Sequence, residues 1–237
     1  MRAKVVFSDM DGMKIDLKDM LERVTDSTKL LVVCNPNNPT GHALQKEDVH
    51  AFIEKAPPDV LVIMDEAYME FADSERFPGT LSILRSGKDN LIILRTLSKA
   101  YGLAGFRVGY GIAEANIIEV LDRIKLPFNL SVPSQFAAAG ALRDEDFLRK
   151  TVEMTKAERG YIYAGLKAMG FSYVESSTNF VLIDVKRDGD LVAGALEERG
   201  VIVRSAKNYG APTCIRVTVG TREQNIRFLG ALRETLL

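Results

Sequence analysis

The sequence is poor in the residues on which several protein classes depend. It has two cysteines, Cys34 and Cys214, and no tryptophan. Two cysteines cannot build the disulfide framework of a small secreted domain. Each lies among apolar, strand-like neighbours, so both are expected to be buried free thiols in a reducing compartment. The two histidines, His42 and His50, have no further ligand spacing around them, which gives no reason to expect a His-based triad or a zinc site. Neither sign of charge is in surplus: 31 Lys and Arg stand against 32 Asp and Glu. Nucleic acids and anionic membranes call for a basic excess, so neither is an expected partner. No apolar run approaches the ~18 residues of a membrane span. The opening Met1-Arg2-Ala3-Lys4-Val5-Val6-Phe7 lacks the apolar core of a signal peptide. There is no Walker loop and no G-x-S-x-G elbow. A cytoplasmic α/β protein is the class left standing.

What is present fits that class. In 237 residues, 46 % of them apolar, there is room for one large domain or two small ones. The runs Lys29–Cys34, Val60–Met64 and Leu91–Leu94 are almost continuously apolar. Such strands belong in a mostly parallel sheet sandwiched by helices. Gln45–Lys55 reads as a helix between two of them, giving a βαβ order. The texture changes near Leu142. One long helix is expected from Asp144 to about Met169, with Gly170 as its stop. Asn179–Val185, a helix near Asp190–Arg199, Val201–Arg204, Ile215–Val219 and a last helix from Thr221 follow. The expected division is a large domain over 1–142 and a smaller C-terminal α+β domain over 143–237, entered through the long helix.

Three segments carry chemistry, and each directly follows an apolar run. Ligands bind at the carboxyl ends of strands in open α/β sheets. Cys34-Asn35-Pro36-Asn37-Asn38-Pro39-Thr40-Gly41 is a stiff turn bearing three asparagines, more than a plain connector needs. Asp65-Glu66-Ala67-Tyr68 puts a carboxylate at a strand end, where burial demands a partner: either a structural ion pair or a bound cation such as a protonated heterocycle. Thr96-Leu97-Ser98-Lys99-Ala100-Tyr101-Gly102-Leu103-Ala104-Gly105-Phe106-Arg107 packs hydroxyls, glycines, a lysine and an arginine into one loop. That composition suits a phosphate, and Lys99 is a candidate nucleophilic amine. A solvated surface lysine is the bland alternative, and the crowding with glycine and arginine weighs against it.

Val5-Val6-Phe7-Ser8-Asp9-Met10-Asp11-Gly12 competes with these. It resembles the aspartate-nucleophile motif of haloacid-dehalogenase-type phosphatases, in which Asp9 would attack phosphate and Asp11 would help hold magnesium. Met13 stands where that family has Thr or Val. A plain Asp-Gly turn before an amphipathic helix at Leu17–Val24 is the preferred reading.

Taken together, Asn-Pro-Asn-Asn-Pro-Thr-Gly, then Asp-Glu-Ala-Tyr, then Ser-Lys with an arginine eight residues after the lysine resemble the fold-type-I pyridoxal-phosphate aminotransferases of class I/II. Gly200-Val201-Ile202-Val203-Arg204, Cys214-Ile215-Arg216-Val217-Thr218-Val219-Gly220-Thr221 and Leu126-Pro127-Phe128-Asn129 resemble the histidinol-phosphate branch of that family. The resemblance implies a pyridoxal 5′-phosphate cofactor and a homodimer. It also implies transamination between histidinol phosphate and the 2-oxoglutarate/glutamate pair, in histidine biosynthesis. Lys99 would hold the cofactor aldehyde as a Schiff base and then shuttle a proton. Asp65 would pair with the pyridine nitrogen, and Asn38 and Tyr68 would bond the ring's phenolic oxygen. Ser98 and Arg107, with Thr96, would bind the cofactor phosphate. Arg216 would clamp a substrate carboxylate, Arg204 the distal phosphate, and Asn179 would line the substrate pocket. Family members carry a further block ahead of the strand expected at Lys4–Phe7, supplying an aromatic residue over the cofactor and a tyrosine across the dimer. That block is not found here, so the large domain is expected to be truncated at its N-terminus. An aminotransferase for aromatic or other amino acids is the alternative within the class. The phosphatase of Asp9 and Asp11 and a non-catalytic fragment are the alternatives outside it.

Overall fold

The structure is a computed structural model and describes residues 3–73, 77 and 79–236. Met1 and Arg2, ahead of the strand expected at Lys4–Phe7, lie outside the described residues. The chain divides into two compact units. One comprises Met1–Asn37 and Ala43–Glu145, the other Asn38–His42 and Asp146–Leu237. The sequence reading instead places one boundary, at residue 142.

The first unit opens on a two-stranded hairpin, β1 (Met10–Asp11) and β2 (Lys14–Ile15). Gly12 occupies the first turn position at φ +61°, a conformation in which glycine meets no Cβ penalty. No strand forms at Lys4–Phe7, and Val5, Val6 and Phe7 are exposed. The expectation of a strand there is therefore corrected: β-branched residues supply propensity, but no neighbouring strand pairs with them among the described residues. Next come α1 (Leu17–Glu22), β3 (Leu30–Cys34), α2 (Lys46–Lys55), β4 (Leu61–Asp65), α3 (Thr80–Arg85), β5 (Leu91–Thr96), β6 (Gly109–Ile112), α4 (Ala115–Ile124) and α5 (Val132–Ala141). Asp16 caps α1, its carboxylate accepting from the amides of Lys18 and Asp19, which satisfies two of the helix's orphan donors.

The strands line up as β3-β4-β5-β6. The first two pairings are parallel and β5–β6 is antiparallel, so the sheet is mixed. Register places Leu31, Val33, Val62, Met64, Leu91 and Ile93 on one face. These form a core with Val49, Phe52 and Ile53 of α2 and Ile83 and Leu84 of α3. On the other face Leu30, Val32 and Leu94 are exposed. Ile92 of β5 lies on that same face and is buried, so cover there is partial along these strands.

The second unit holds α6 (Glu145–Ala168), β7 (Ser172–Tyr173), β8 (Phe180–Asp184), α7 (Gly189–Glu198), β9 (Arg204–Ser205), β10 (Cys214–Thr218) and α8 (Arg222–Leu236). Its sheet runs β7-β8-β10-β9, antiparallel throughout. Buried Thr155, Glu158, Ile162 and Leu166 repeat at helical spacing along α6. Ile162 and Leu166 join Val192 and Leu196 of α7 and Phe228 and Leu232 of α8 against Val181, Ile183, Ile215 and Val217. Gly165 permits close approach of α8: a Cβ there would sit 2.5 Å from Leu229 Cδ1. Of the expected strand Val201–Arg204, only Arg204 pairs. The amide of Val201 instead closes the end of α7 on Leu196 O, at 2.9 Å.

Neither cysteine is in a disulfide. Cys214 is buried, whereas Cys34 is half-buried, a correction that follows from its place at the strand end, where the chain turns away.

Candidate active site

Asn35, the first residue beyond β3, prolongs the sheet. Its amide donates to Asp65 O at 2.9 Å, and its Oδ1 accepts from Leu44 N at 2.8 Å. The side chain thereby spans the base of the asparagine-rich loop. The two proline peptide bonds in that loop, Asn35–Pro36 and Asn38–Pro39, are cis. From Asn38 the loop belongs to the second unit. Gly41 O accepts from Ser177 N at 2.7 Å. Gly41 has φ +79°, and a Cβ there would fall 2.4 Å from Ser176 Oγ, so glycine is needed both for its conformation and for this approach.

In the first unit, Asp65 is the last residue of β4 and Thr96 the last of β5. Asp65 Oδ1 accepts from Ala67 N at 3.1 Å. Tyr68 is buried three residues on, and the Lys99 ammonium lies 5.3 Å from its ring centroid, within cation–π range. Thr96 Oγ1 donates to Val108 O and accepts from Ser98 N. Its hydroxyl is therefore used to close the turn that presents Ser98 and Lys99. Neither Ser98 Oγ nor Lys99 Nζ hydrogen-bonds another described residue. Arg107 is exposed, in the left-handed region at φ 56°, and donates from Nη1 to Ala104 O at 2.8 Å.

In the second unit, Ile215 and Val217 are core residues and Arg216 points to the opposite face of β10. There its Nη1 donates to Asn38 Oδ1, and its guanidinium stands 4.8 Å from the Phe180 ring centroid. No ion pair joins Arg216 to Glu223 among the described residues. Arg204 is the directly opposed residue on β9. Opposed residues of an antiparallel pair share one face at ~5 Å, and two like charges there disfavour the sheet. Arg204 is exposed and lies over Tyr209. Asn179 immediately precedes β8, and its carbonyl accepts from Val219 N at 2.8 Å. Arg159 of α6 donates to Thr178 O at 2.7 Å, supporting that turn from below.

The sequence reading passed over one buried group beside the site. Glu66 is 1 % exposed. Its Oε2 accepts from Arg95 Nε at 3.0 Å and Nη2 at 2.9 Å, and its Oε1 accepts from Thr80 Oγ1. Glu70 lies nearby, with Oε2 buried and without a hydrogen-bond partner. Burial pushes its carboxyl up to about 7. The available signal was a second charge at each strand end, one residue from Asp65 and one from Thr96.

Asp9 and Asp11 are not brought together as metal ligands. Asp9 pairs with Arg23 at 2.7 Å, while Asp11 opposes Lys14 across the hairpin. The turn reading of this segment stands.

The model of the family "Aminotransferase class I and II" matches residues 2–232, and the chain belongs to that family. Among curated relatives, it is 44 % identical over 221 residues to a histidinol-phosphate aminotransferase of Moorella thermoacetica, covering 93 % of this chain and 57 % of the relative. It is 46 % identical over 221 residues to the protein of that name from Bacillus subtilis (strain 168), covering 93 % and 61 %. The chain thus spans about three fifths of the length of these relatives. Among solved structures, the histidinol-phosphate aminotransferase of Sinorhizobium meliloti in complex with pyridoxal-5′-phosphate superposes with a TM-score of 0.90 at 30 % identity, over 98 % of this chain and 64 % of that one. The histidinol-phosphate aminotransferase of Clostridium acetobutylicum gives 0.89 at 26 %, over 97 % and 70 %.

Proposed function

We propose that this chain supplies cofactor- and substrate-binding residues of a pyridoxal 5′-phosphate-dependent aminotransferase. Its substrates are histidinol phosphate and the glutamate/2-oxoglutarate pair, placing it in histidine biosynthesis. One observation carries the reading. At the carboxyl ends of the neighbouring strands β4 and β5 stand an acceptor, Asp65, and an amine without an ion-pair partner, Lys99, with Tyr68 beneath the amine. The donor set suits the cofactor: a carboxylate for a ring N–H, and the Ser98 hydroxyl and Arg107 guanidinium for a phosphate.

Pyridoxal phosphate, when bound, supplies an aldehyde for covalent attachment and a ring that withdraws electrons from the substrate Cα. Lys99 would hold the aldehyde carbon through its amine, water leaving as the two condense, and would be the group that carries the proton away from the substrate Cα. Asp65 holds the proton on the ring nitrogen. Tyr68 would donate to the phenolic oxygen, the role that the family's pattern also gives Asn38. Ser98 and Arg107 hold the phosphate, with Thr96 shaping the turn between them. Arg216 grips the glutamate carboxylate, and Arg204, opposite it, meets the distal phosphate of histidinol phosphate. Asn179 lines the same substrate region. Two opposed guanidiniums on one face of a sheet, neither paired with a carboxylate among the described residues, are costly in structural terms, which supports an anion-binding role for both.

Two copies are proposed to form a homodimer. Ile124, Phe128 and Phe136 are 73 %, 100 % and 76 % exposed, a concentration of large apolar side chains that calls for cover. Among the described residues no helix is long and apolar enough to cross a membrane. A reducing, cytoplasmic setting is proposed as well, which suits two cysteines that form no disulfide.

The test is to incubate the chain with pyridoxal phosphate, reduce with borohydride and locate the attachment by peptide mass, then follow single turnovers with glutamate, histidinol phosphate and tyrosine. Attachment at Lys99 and faster conversion of histidinol phosphate than tyrosine are expected. Preference for tyrosine would assign the chain to the aromatic alternative, and no attachment at Lys99 would refute the reading.

A further inference from the structure

We propose that Glu66 and Arg95 form a positioning pair that holds the Asp65 loop and the Lys99 loop in register. The proposal deepens the cofactor reading above and rests on it for the meaning of that register.

The last backbone hydrogen bond between β4 and β5 runs from Glu66 N to Leu94 O, at 2.9 Å. Past it the two strands diverge into Ala67-Tyr68 and Leu97-Ser98-Lys99, and the ladder no longer ties them. Side chains alternate across a sheet, and Asp65 is registered with Leu94. Glu66 and Arg95 therefore project from the face opposite Asp65, towards α3. There the buried Glu66 carboxylate takes both Arg95 donors and the Thr80 hydroxyl at the start of α3. The ion pair continues the strand pairing with side chains where the backbone pairing stops. Its two residues are bonded directly to Asp65 and Thr96, so it sets the offset at which both loops depart. Side-chain exposure of 15 % for Arg95 and 0 % for Glu66 keeps water from competing for these charge-assisted bonds. A rigid tie is what Lys99 requires, because a displacement on the order of 1 Å at a reacting group can cost about 10²-fold in rate.

The experiment compares wild type with Glu66→Gln and with the double variant Glu66→Leu/Arg95→Met. The double variant removes both charges, so no unpaired buried charge threatens the fold. Amide hydrogen exchange is measured on the cofactor-free chain. Ala67, Leu97 and Ser98 report the loops, through their bonds to Asp65 Oδ1, Val108 O and Thr96 Oγ1. The β3 amides serve as control. In both variants the three loop amides should exchange about tenfold faster or more, the scale of losing charge-assisted bonds, while β3 is unchanged. Unchanged loop exchange in both variants would overturn the proposal. Equal loosening of β3 would overturn it as well, because the pair would then support the whole unit and not the loops.

A second arm measures pyridoxal phosphate attachment, trapped by borohydride and counted by peptide mass. Attachment at Lys99 should slow about tenfold in both variants, with an exposed lysine such as Lys46 unaffected. Unaltered attachment at Lys99 would also count against the pair. If wild type attaches nothing at Lys99, the cofactor reading fails, and the exchange arm still decides whether the pair positions the loops.

Discussion

The Arg216 guanidinium donates from Nη1 to the side-chain carbonyl of Asn38, a residue 178 positions away in the sequence. The acceptor is neutral. A carboxylate binds a guanidinium in a charge-assisted, two-bond fork, so the substrate carboxylate proposed for Arg216 would displace the amide. Asn38 thus holds the guanidinium extended without neutralising it.

This arrangement predicts unequal damage from changes at the two opposed arginines. In the glutamate half-reaction, Arg216→Lys keeps the charge but loses the fork, and should weaken glutamate on the order of 10- to 100-fold. Arg204→Ala should change the same half-reaction less than about threefold and weaken histidinol phosphate instead. Half-reaction kinetics with each donor check both statements. Equal losses with glutamate would remove the proposed division between the arginines.

Lys99→Ala should eliminate the borohydride-trappable attachment of pyridoxal phosphate and leave the fold intact. The ammonium makes no hydrogen bond or ion pair with another described residue and contributes only its contact with the Tyr68 ring. Peptide mass after reduction reads the first effect, and thermal unfolding the second. A trapped adduct persisting in the same loop would show that Lys99 is not the attaching residue.

Asp65→Asn should leave attachment possible and slow proton removal from the substrate. A neutral amide cannot hold a proton on the ring nitrogen. Removing one member of a buried ion pair costs several kcal/mol, and each ~1.4 kcal/mol is tenfold in rate. A fall of roughly 10²- to 10³-fold in the single-turnover rate is expected. Near-normal turnover would take Asp65 out of the chemistry.

Glu70 predicts a pH dependence of stability. Burial raises its carboxyl from 4.5 to about 7, with Arg95 pulling it down and Glu66 pushing it up. Tyr101 is the other titratable group facing it. Between those two values the folded chain binds more protons than the unfolded one, so stability falls as pH rises. The penalty is absent below 4.5 and complete above about 7. Glu70→Gln removes it, and should therefore stabilise the chain by up to about 3 kcal/mol at about pH 8, with no gain at about pH 4. Denaturant unfolding at the two pH values checks this. A variant no more stable than wild type at the higher pH would show that the Glu70 carboxyl is accommodated charged.

The strands and the loops after them were legible because their signals are local. Leu30–Cys34, Leu61–Asp65 and Leu91–Thr96 are apolar runs that end at turn residues, and the chemistry-bearing side chains follow at those ends. Gly170, at φ +75°, stops the long helix where the pattern placed its end. Val5-Val6-Phe7 misled for the converse reason: strand propensity means little without a partner to share hydrogen bonds.

By itself the sequence determined which residues stand at strand ends, and the family to which their order belongs. Those properties depend on neighbours within a few positions. Only the tertiary structure decided that Asn38–His42 belongs with the second unit, that Arg204 stands directly opposite Arg216, that the Thr96 hydroxyl closes a turn, and that Glu66 is neutralised by Arg95. Each joins a side chain to a residue of another segment, through sheet register or through burial of a charge. A charge leaving water must find whichever partner the packed fold brings within reach, and local pattern does not say which that is.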